Sequence, residues 1–217
     1  MSYFAVYAQV GLELFLLYRA PLPVILCQPM VNWNHIEGQT ARRFTCGYCG
    51  HLVASNKGYS TNDPSRYMVY ICSSCDQPSY FGPAPWSQVP GLAPGKDVAP
   101  VPDDIGALYR EARMAVSVNS YTAAVLTCRK LLMNIAVAQG APGDGSFLSY
   151  VEYLADKGYV PPNGKGWVDH IRNKGNEATH EIKLMSQSDA EELITFAEML
   201  LKFIYEFPSR VPTPKTP

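Results

Sequence analysis

Cys46-Gly47-Tyr48-Cys49-Gly50 and Cys72-Ser73-Ser74-Cys75 are the two motifs that decide the fold of the first half of this chain. Two Cys-x-x-Cys pairs are typical of a metal site and not of a secreted disulfide framework. Gly47 inside the first pair and Gly50 directly after it favour the tight turn that directs backbone amides towards thiolate sulfurs. The predicted metal ligands are therefore Cys46, Cys49, Cys72 and Cys75.

The chemistry of four thiolates predicts a structural metal. Four such ligands form a closed tetrahedral site without an open position for water. Zinc is the predicted metal, and iron or a redox-active dithiol pair are the alternatives. The 22 residues between Cys49 and Cys72 exceed the usual spacing of about 15–20 residues, which a longer hairpin accommodates. His51 is expected to be a surface residue and not a fifth ligand.

The motifs lie in a predicted zinc ribbon at residues 30–82. His51–Ser55 and Arg66–Ile71 alternate as strands, and Pro78–Phe81 adds a third short strand. Metal binding would supply folding free energy that so small a β element does not obtain from its own core. The ordinary charge density favours a structural or protein-binding ribbon. The alternative is a nucleic-acid contact through the residues Arg42, Arg43, Lys57, Arg66, Tyr48 and Tyr59.

Segments of different composition flank the ribbon and the helical region. Residues 1–29 are apolar but interrupted by charges and prolines, which excludes a membrane span of about 20 apolar residues. We interpret them as an N-terminal extension. Residues 83–102 contain six prolines, so an extended linker without regular structure is expected, lying against the following domain. Residues 208–217 are expected to be a disordered tail.

Residues 103–207 carry apolar side chains at helical spacing and predict short helices joined by brief loops, which is typical of a bundle. The first expected helix begins after Pro102, the second covers Tyr121–Val137, and the third covers Phe147–Ala155 with Ser146 as its cap. The fourth covers 167–182, and the fifth begins at the capping box Ser188-Asp-Ala-Glu191. Cys128 is predicted to be a buried core thiol. The predicted class is α+β, a small β zinc ribbon followed by an all-α four- to five-helix bundle.

The 167–182 helix has one apolar and one polar face. Trp167, Ile171, Ala178 and Ile182 fall within about 60° of one another. A second group falls within about 100° on the other side: Asp169, Arg172, Asn173, Asn176 and His180. A histidine can transfer a proton and an arginine can stabilise charge on phosphate, the minimum for metal-independent RNA cleavage. The alternative is an ordinary solvated face.

The order of ribbon, proline-rich connector and helices resembles domain-of-unknown-function family 4145, which is grouped with the HEPN superfamily. The resemblance covers residues 42–207, and its most specific element is Gly175-Asn176-Glu-Ala-Thr-His180. It implies a HEPN-like bundle that dimerises through the motif helices, in prokaryotic proteins linked to restriction and antiviral defence. Active HEPN proteins are metal-independent ribonucleases whose Arg and His are separated by four to six residues. Here seven residues separate Arg172 from His180, a rise of about 12 Å, so cooperation between two subunits is expected.

Composition narrows the functional classes. The net charge is −1, and the part from Asp103 onwards has 12 Lys and Arg against 14 Asp and Glu, so any nucleic-acid contact is local. The first dozen residues lack Lys and Arg, and a secretory signal is not evident, so a cytoplasmic location is expected. The sequence contains no P-loop or dinucleotide fingerprint.

Two functional hypotheses follow. The first is a protein that acts on or with nucleic acid in defence and, if it is an enzyme, a metal-independent endoribonuclease. His180 would then be the acid or base, Arg172 would stabilise the developing phosphate charge, and Asn176 or Asn173 would orient His180. The second is a non-catalytic dimeric adaptor whose ribbon recruits a partner protein.

Overall fold

The structure is a computed structural model that describes residues 37–61, 67–82, 88–160, 166–171, 173 and 184–211. An antiparallel β-sheet comes first and helices follow, which confirms the predicted α+β class. The expected N-terminal extension at 1–29 lies outside the described residues. Within the described ranges, no helix is both long enough and apolar enough to cross a membrane.

The sheet is an antiparallel meander in which each strand pairs with the next one along the chain. Its strands are β1 Glu37–Thr45, β2 Leu52–Ser60, β3 Met68–Ile71, β4 Pro78–Phe81 and β5 Gln88–Val89. Phe44 pairs with Val53, and Tyr70 pairs with both Gly58 and Ser79, which fixes the register across the first four strands. Three of the strands fall where alternation predicted them, whereas β1 and β5 were not predicted.

One face of the sheet carries a small aromatic core. Phe44, Tyr70 and Phe81 are buried there, with ring centroids 5.1–6.1 Å apart. Cys46 and Cys72 belong to the same cluster, so the metal-binding motifs are continuous with this core. Successive side chains of a strand alternate between the two faces, so the intervening residues point to the opposite side of the sheet.

Strand β5 corrects the expectation that residues 83–102 contain no regular element. Gln88 pairs with Phe81 and Val89 pairs with Tyr80, so the sheet continues past the ribbon boundary expected at residue 82. Pro90 directly follows β5, and an edge strand tolerates proline because its outer edge needs no hydrogen-bond donor. From Pro90 onwards the chain runs to the helices, and Val98 is buried among them.

The helices are α1 Asp103–Ser117, α2 Tyr121–Ala138, α3 Phe147–Asp156, α4 Gln187–Leu201 and α5 Phe207–Arg210, with a π-helical turn at Lys202–Glu206 before α5 and helical residues at 166–171. Asp103 and Asp104 lie in the first turn of α1, where carboxylates interact favourably with the helix dipole. Ser146 caps α3 as expected, accepting a hydrogen bond of 3.2 Å from the amide of Ser149.

Helix α2 is the centre of the helical core. Its buried residues are Ala124, Val125, Cys128, Leu131, Leu132, Ile135 and Ala136. Helices α1, α3 and α4 all pack against it. Burial raises the pKa of the Cys128 thiol to about 12, so this cysteine is a protonated core residue, as the sequence predicted.

Two helix boundaries differ from the prediction. The capping box of α4 is formed by Ser186 and Asp189, and not by Ser188 and Glu191. Asp189 Oδ2 accepts from the Ser186 amide at 2.8 Å, and the Asp189 amide donates to Ser186 Oγ at 3.2 Å. At the other end, α5 extends the helical part to Arg210, beyond the expected boundary at residue 207.

Candidate metal centre

The four predicted cysteines lie together, and their sulfur atoms are all within 4.8 Å of one another. Cys46 Sγ is 3.7 Å from Cys75 Sγ, and Cys49 Sγ is 3.8 Å from Cys72 Sγ. Sulfurs bound to one zinc at about 2.3 Å in a tetrahedron would be about 3.8 Å apart. The two measured separations therefore match those of a tetrahedral metal site of this size.

The two motifs form knuckles with matching hydrogen bonds. In each knuckle, the amide two residues after the first cysteine, from Tyr48 or Ser74, donates to that cysteine's sulfur at 3.4 Å. The chain then turns through a left-handed residue, Gly50 at φ 71° or Asp76 at φ 56°. Aspartate is among the few residues other than glycine that adopt this conformation readily, so the second knuckle needs no glycine there.

The four thiols of this site differ in burial and in acidity. Cys46 and Cys72 are buried, whereas Cys49 and Cys75 are partly exposed. Burial raises the pKa of the Cys46 and Cys75 thiols. Burial also acts to raise the pKa of Cys49, but hydrogen bonds from the His51 amide and from the neighbouring thiols outweigh it and lower that pKa. A metal ion bound by all four sulfurs would stabilise their thiolate forms and would leave no position for a substrate.

His51 links the two knuckles from outside the sulfur cluster. Its Nδ1 lies 2.7 Å from Ser74 Oγ, within hydrogen-bond distance, and the residue is exposed. It is not part of the four-cysteine group. The contact connects the first knuckle to the second.

The first knuckle also contacts the connector, residues 90–102, which leads from the sheet to the helices. A Cβ atom at Gly47 would lie 2.3 Å from the carbonyl oxygen of Pro90 and 2.5 Å from that of Gly91, so only glycine allows this approach. Gln88 Nε2 donates to the Thr45 carbonyl at 2.8 Å. The Gly91 amide donates to the Ser117 carbonyl at the end of α1 at 2.6 Å. The connector thus joins the knuckle to the helical region.

Arg113 of α1 fixes the rest of the connector. Its Nε donates to the Pro94 carbonyl at 2.7 Å, one terminal nitrogen donates to the Gly95 carbonyl at 3.0 Å, and the other pairs with Asp97. Tyr109 donates its hydroxyl hydrogen to the Lys96 carbonyl at 2.9 Å. Burial raises the pKa of this hydroxyl, which therefore remains a donor at neutral pH.

The start of the predicted polar helix is held against α4. Trp167 contacts Phe196 edge-to-face at 5.1 Å, and Ile171 is fully buried, so the predicted apolar face does pack inwards there. His170 Nε2 lies 2.5 Å from Glu192 Oε2 in an exposed pair. Asn173 is exposed on this segment. The other three predicted site residues, Arg172, Asn176 and His180, lie outside the described residues, so their roles stay predictions.

Sequence reasoning did not find the connector contacts or the pairing of His170 with Glu192. Arg113 and Gln88 act on carbonyl groups far away in the chain, and no spacing rule identifies such partners. The signal available for Gly47 was its place inside a Cys-x-x-Cys motif, which indicated a tight turn but not an approaching connector.

Comparison with known proteins bears on the helical region. No curated protein and no solved structure significantly matches the chain. One family model matches residues 110–215, a range that begins in α1 and excludes the four cysteines. The helical part of this chain, including the positions of Arg172, Asn176 and His180, is therefore similar to the family described as domain of unknown function (DUF4145).

Proposed function

We propose that this chain is a zinc-ribbon protein whose HEPN-like helical domain acts on or with nucleic acid. The observation that supports the zinc ribbon is the sulfur geometry at Cys46, Cys49, Cys72 and Cys75, with separations of 3.7 and 3.8 Å that suit zinc. The action on nucleic acid is supported by the resemblance of the helical region to the matched family. A zinc ion with four thiolate ligands has a structural role, because it has no open position for water. Any chemistry on RNA must then come from side chains of the helical domain.

The residues proposed for that chemistry are on the polar face of the helix predicted from sequence at 167–182. His180 would transfer the proton of the ribose 2′-hydroxyl, and Arg172 would stabilise the charge that develops on the phosphate. Asn176 or Asn173 would orient the imidazole. The rise of about 12 Å between Arg172 and His180 favours a site that combines Arg172 of one protomer with His180 of another. We therefore propose a homodimer formed through these helices.

The biological setting that we propose is prokaryotic defence in the cytoplasm, with a restriction or antiviral protein as partner. Its support is the resemblance of the helical region to a HEPN-like family. The activity would be metal-independent RNA cleavage that destroys cellular or foreign RNA.

A second candidate function is a non-catalytic dimeric adaptor. It is favoured by a cleft of about 210 Å³ between the first knuckle and α1, lined in part by Tyr48, Leu92 and Arg110. Tyr48 and Leu92 are exposed to 47% and 59%, which is high for large apolar side chains beside a cavity. A partner protein that inserts a side chain there would contact ribbon and helices together.

Incubation of the purified chain with a mixed RNA pool distinguishes the two functions. The reactions contain EDTA, and the zinc content of each sample is measured afterwards so that unfolding of the ribbon is recognised. The ribonuclease proposal predicts cleavage that persists in EDTA and disappears in His180→Ala. His170→Ala is the matched control, because His170 lies on the same segment but pairs with Glu192. Absence of cleavage by zinc-loaded protein, or equal cleavage by His180→Ala, would refute the enzyme and leave the adaptor.

A further inference from the structure

The outer face of the sheet, opposite the aromatic core, carries a row of aromatic side chains. In register, Tyr59 of β2 pairs with Val69 of β3, which pairs with Tyr80 of β4. Tyr67 precedes Val69 by two residues and lies on the same side of the sheet. The rings of Tyr67 and Tyr80 stack at 6.2 Å between centroids and 18° between planes. Both tyrosines remain exposed, to 39% and 38%.

The charges of the sheet fit a polyanion. Within the five described strands the basic residues are Arg42, Arg43 and Lys57, and the one acidic residue is Glu37. Arg42 lies over the Phe81 ring on the core side, 4.1 Å from its centroid. Arg43 follows it and therefore points to the outer face, where it is exposed. In the part of the chain that the structure describes, Arg43 and Lys57 form no ion pair with a carboxylate.

We propose that this outer face binds single-stranded nucleic acid, with bases stacked on Tyr67 and Tyr80 and with a phosphate at Arg43. Exposed aromatic rings accept any base, because every base has a π face, and adjacent cations hold the backbone. Arg43 pairs with Ala54, which lies five residues along β2 from Tyr59, so Arg43 is displaced from the row of Tyr80 by about 17 Å along the strands. An extended single strand of several nucleotides can cross that span. A duplex keeps its bases paired and cannot stack them on the rings. The inference rests on the proposed function and assigns the binding surface for it.

The test is fluorescence anisotropy of labelled single-stranded oligouridine titrated with the zinc-loaded full chain. Tyr80→Ala and Tyr67→Ala are each expected to weaken binding by about 5- to 150-fold, the range for loss of one base–aromatic stack. Tyr80→Phe should bind as the wild type does, because the ring and not the hydroxyl makes the contact. Arg43→Gln should lower the slope of log affinity against log salt by about 0.7.

Phe203→Ala is the matched control, since Phe203 is an exposed aromatic residue of the helical region and not of this face. It is expected to leave oligouridine affinity unchanged. If the wild type binds oligouridine but the Tyr67 and Tyr80 variants bind equally well, the outer face is refuted and a nucleic-acid function survives. Duplex RNA that binds as tightly as the single strand refutes stacking. If the wild type binds neither, both the surface and the proposed action on nucleic acid are refuted.

Discussion

Replacement of Gly47 by alanine tests whether the knuckle and the connector must touch. The added Cβ would lie 2.3 Å from the Pro90 carbonyl oxygen, 2.5 Å from the Gly91 carbonyl oxygen and 2.8 Å from the Pro90 carbonyl carbon. All three neighbours are backbone atoms, which cannot rotate away as a flexible side chain does. Relief of the contact therefore requires the knuckle and the connector to separate.

The size of the effect follows from that separation. An ordinary contact begins near 3.4 Å, so the two segments must move apart by about 1 Å. The same movement would stretch the 2.8 Å bond from Gln88 Nε2 to the Thr45 carbonyl beyond hydrogen-bond distance. Overpacking costs about 1–3 kcal/mol and a lost hydrogen bond about 1 kcal/mol. We expect Gly47→Ala to lower the free energy of unfolding by about 2–4 kcal/mol.

Two measurements check this expectation. Urea unfolding of the metal-loaded protein gives the change in stability, and hydrogen exchange of the Gly91 amide reports the bond to the Ser117 carbonyl. Gly38→Ala is the control, because a Cβ at Gly38 meets nothing within 4 Å. Equal stability of the two variants, together with unchanged exchange at Gly91, would refute the contact between knuckle and connector.

Four further predictions address the metal, the connector and the last long helix. Elemental analysis is expected to find no stoichiometric zinc in Cys46→Ser, whereas Cys128→Ala should retain it. Equal zinc content in the two variants would contradict the proposed four-cysteine zinc site. Burial raises the pKa of the Cys46 thiol, so protons compete with zinc for the sulfur. The affinity for zinc, measured by competition with a chelator, should therefore fall as the pH is lowered. A zinc affinity that does not depend on pH would be inconsistent with thiolate ligands. Arg113→Gln should lower the free energy of unfolding by about 1–3 kcal/mol in urea titration, and a neutral result would mean that water replaces its bonds. Ser186→Ala should cost about 1 kcal/mol and Ser188→Ala close to nothing, whereas the reverse order would restore the cap predicted from sequence.

The parts of the fold that the sequence predicted are those with a local periodic signal. Alternation placed strands β2 to β4, although β2 continues to Ser60 and not only to Ser55. Helical spacing placed the start of α1, and it placed α2 and α3 with ends that agree within one residue. Strand β1 was not predicted, because Glu37–Thr45 is mostly polar. Its place in the sheet depends on hydrogen bonding with β2, which the sequence of β1 does not indicate. The cap of α4 was misplaced by two residues, since Ser186 and Ser188 both satisfy the pattern and only the backbone geometry selects one.

The candidate sites also differ in whether their sequence signal is local or depends on contacts between distant parts of the chain. The four cysteines were predicted because their spacing reflects a local knuckle, and their clustering is confirmed. The stack of Tyr67 on Tyr80 was not predicted, because it depends on the register between β3 and β4. The roles of Arg172, Asn176 and His180 stay predictions, which rest on the helical sequence pattern and on its place within the family match.

The contacts of the connector with the helices determine where the chain can be cut to give a stable helical fragment. A fragment that starts at Asp103, where the first helix begins, would lack the carbonyl that accepts the buried Tyr109 hydroxyl and the three acceptors of Arg113. It would also lack Val98, which fills part of the helical core. A buried donor without its acceptor costs about 1–3 kcal/mol, so such a fragment would be poorly stable. The smallest independent helical unit therefore begins at or before Pro94, inside the segment that the sequence predicted to be an extended linker lying against the helical domain.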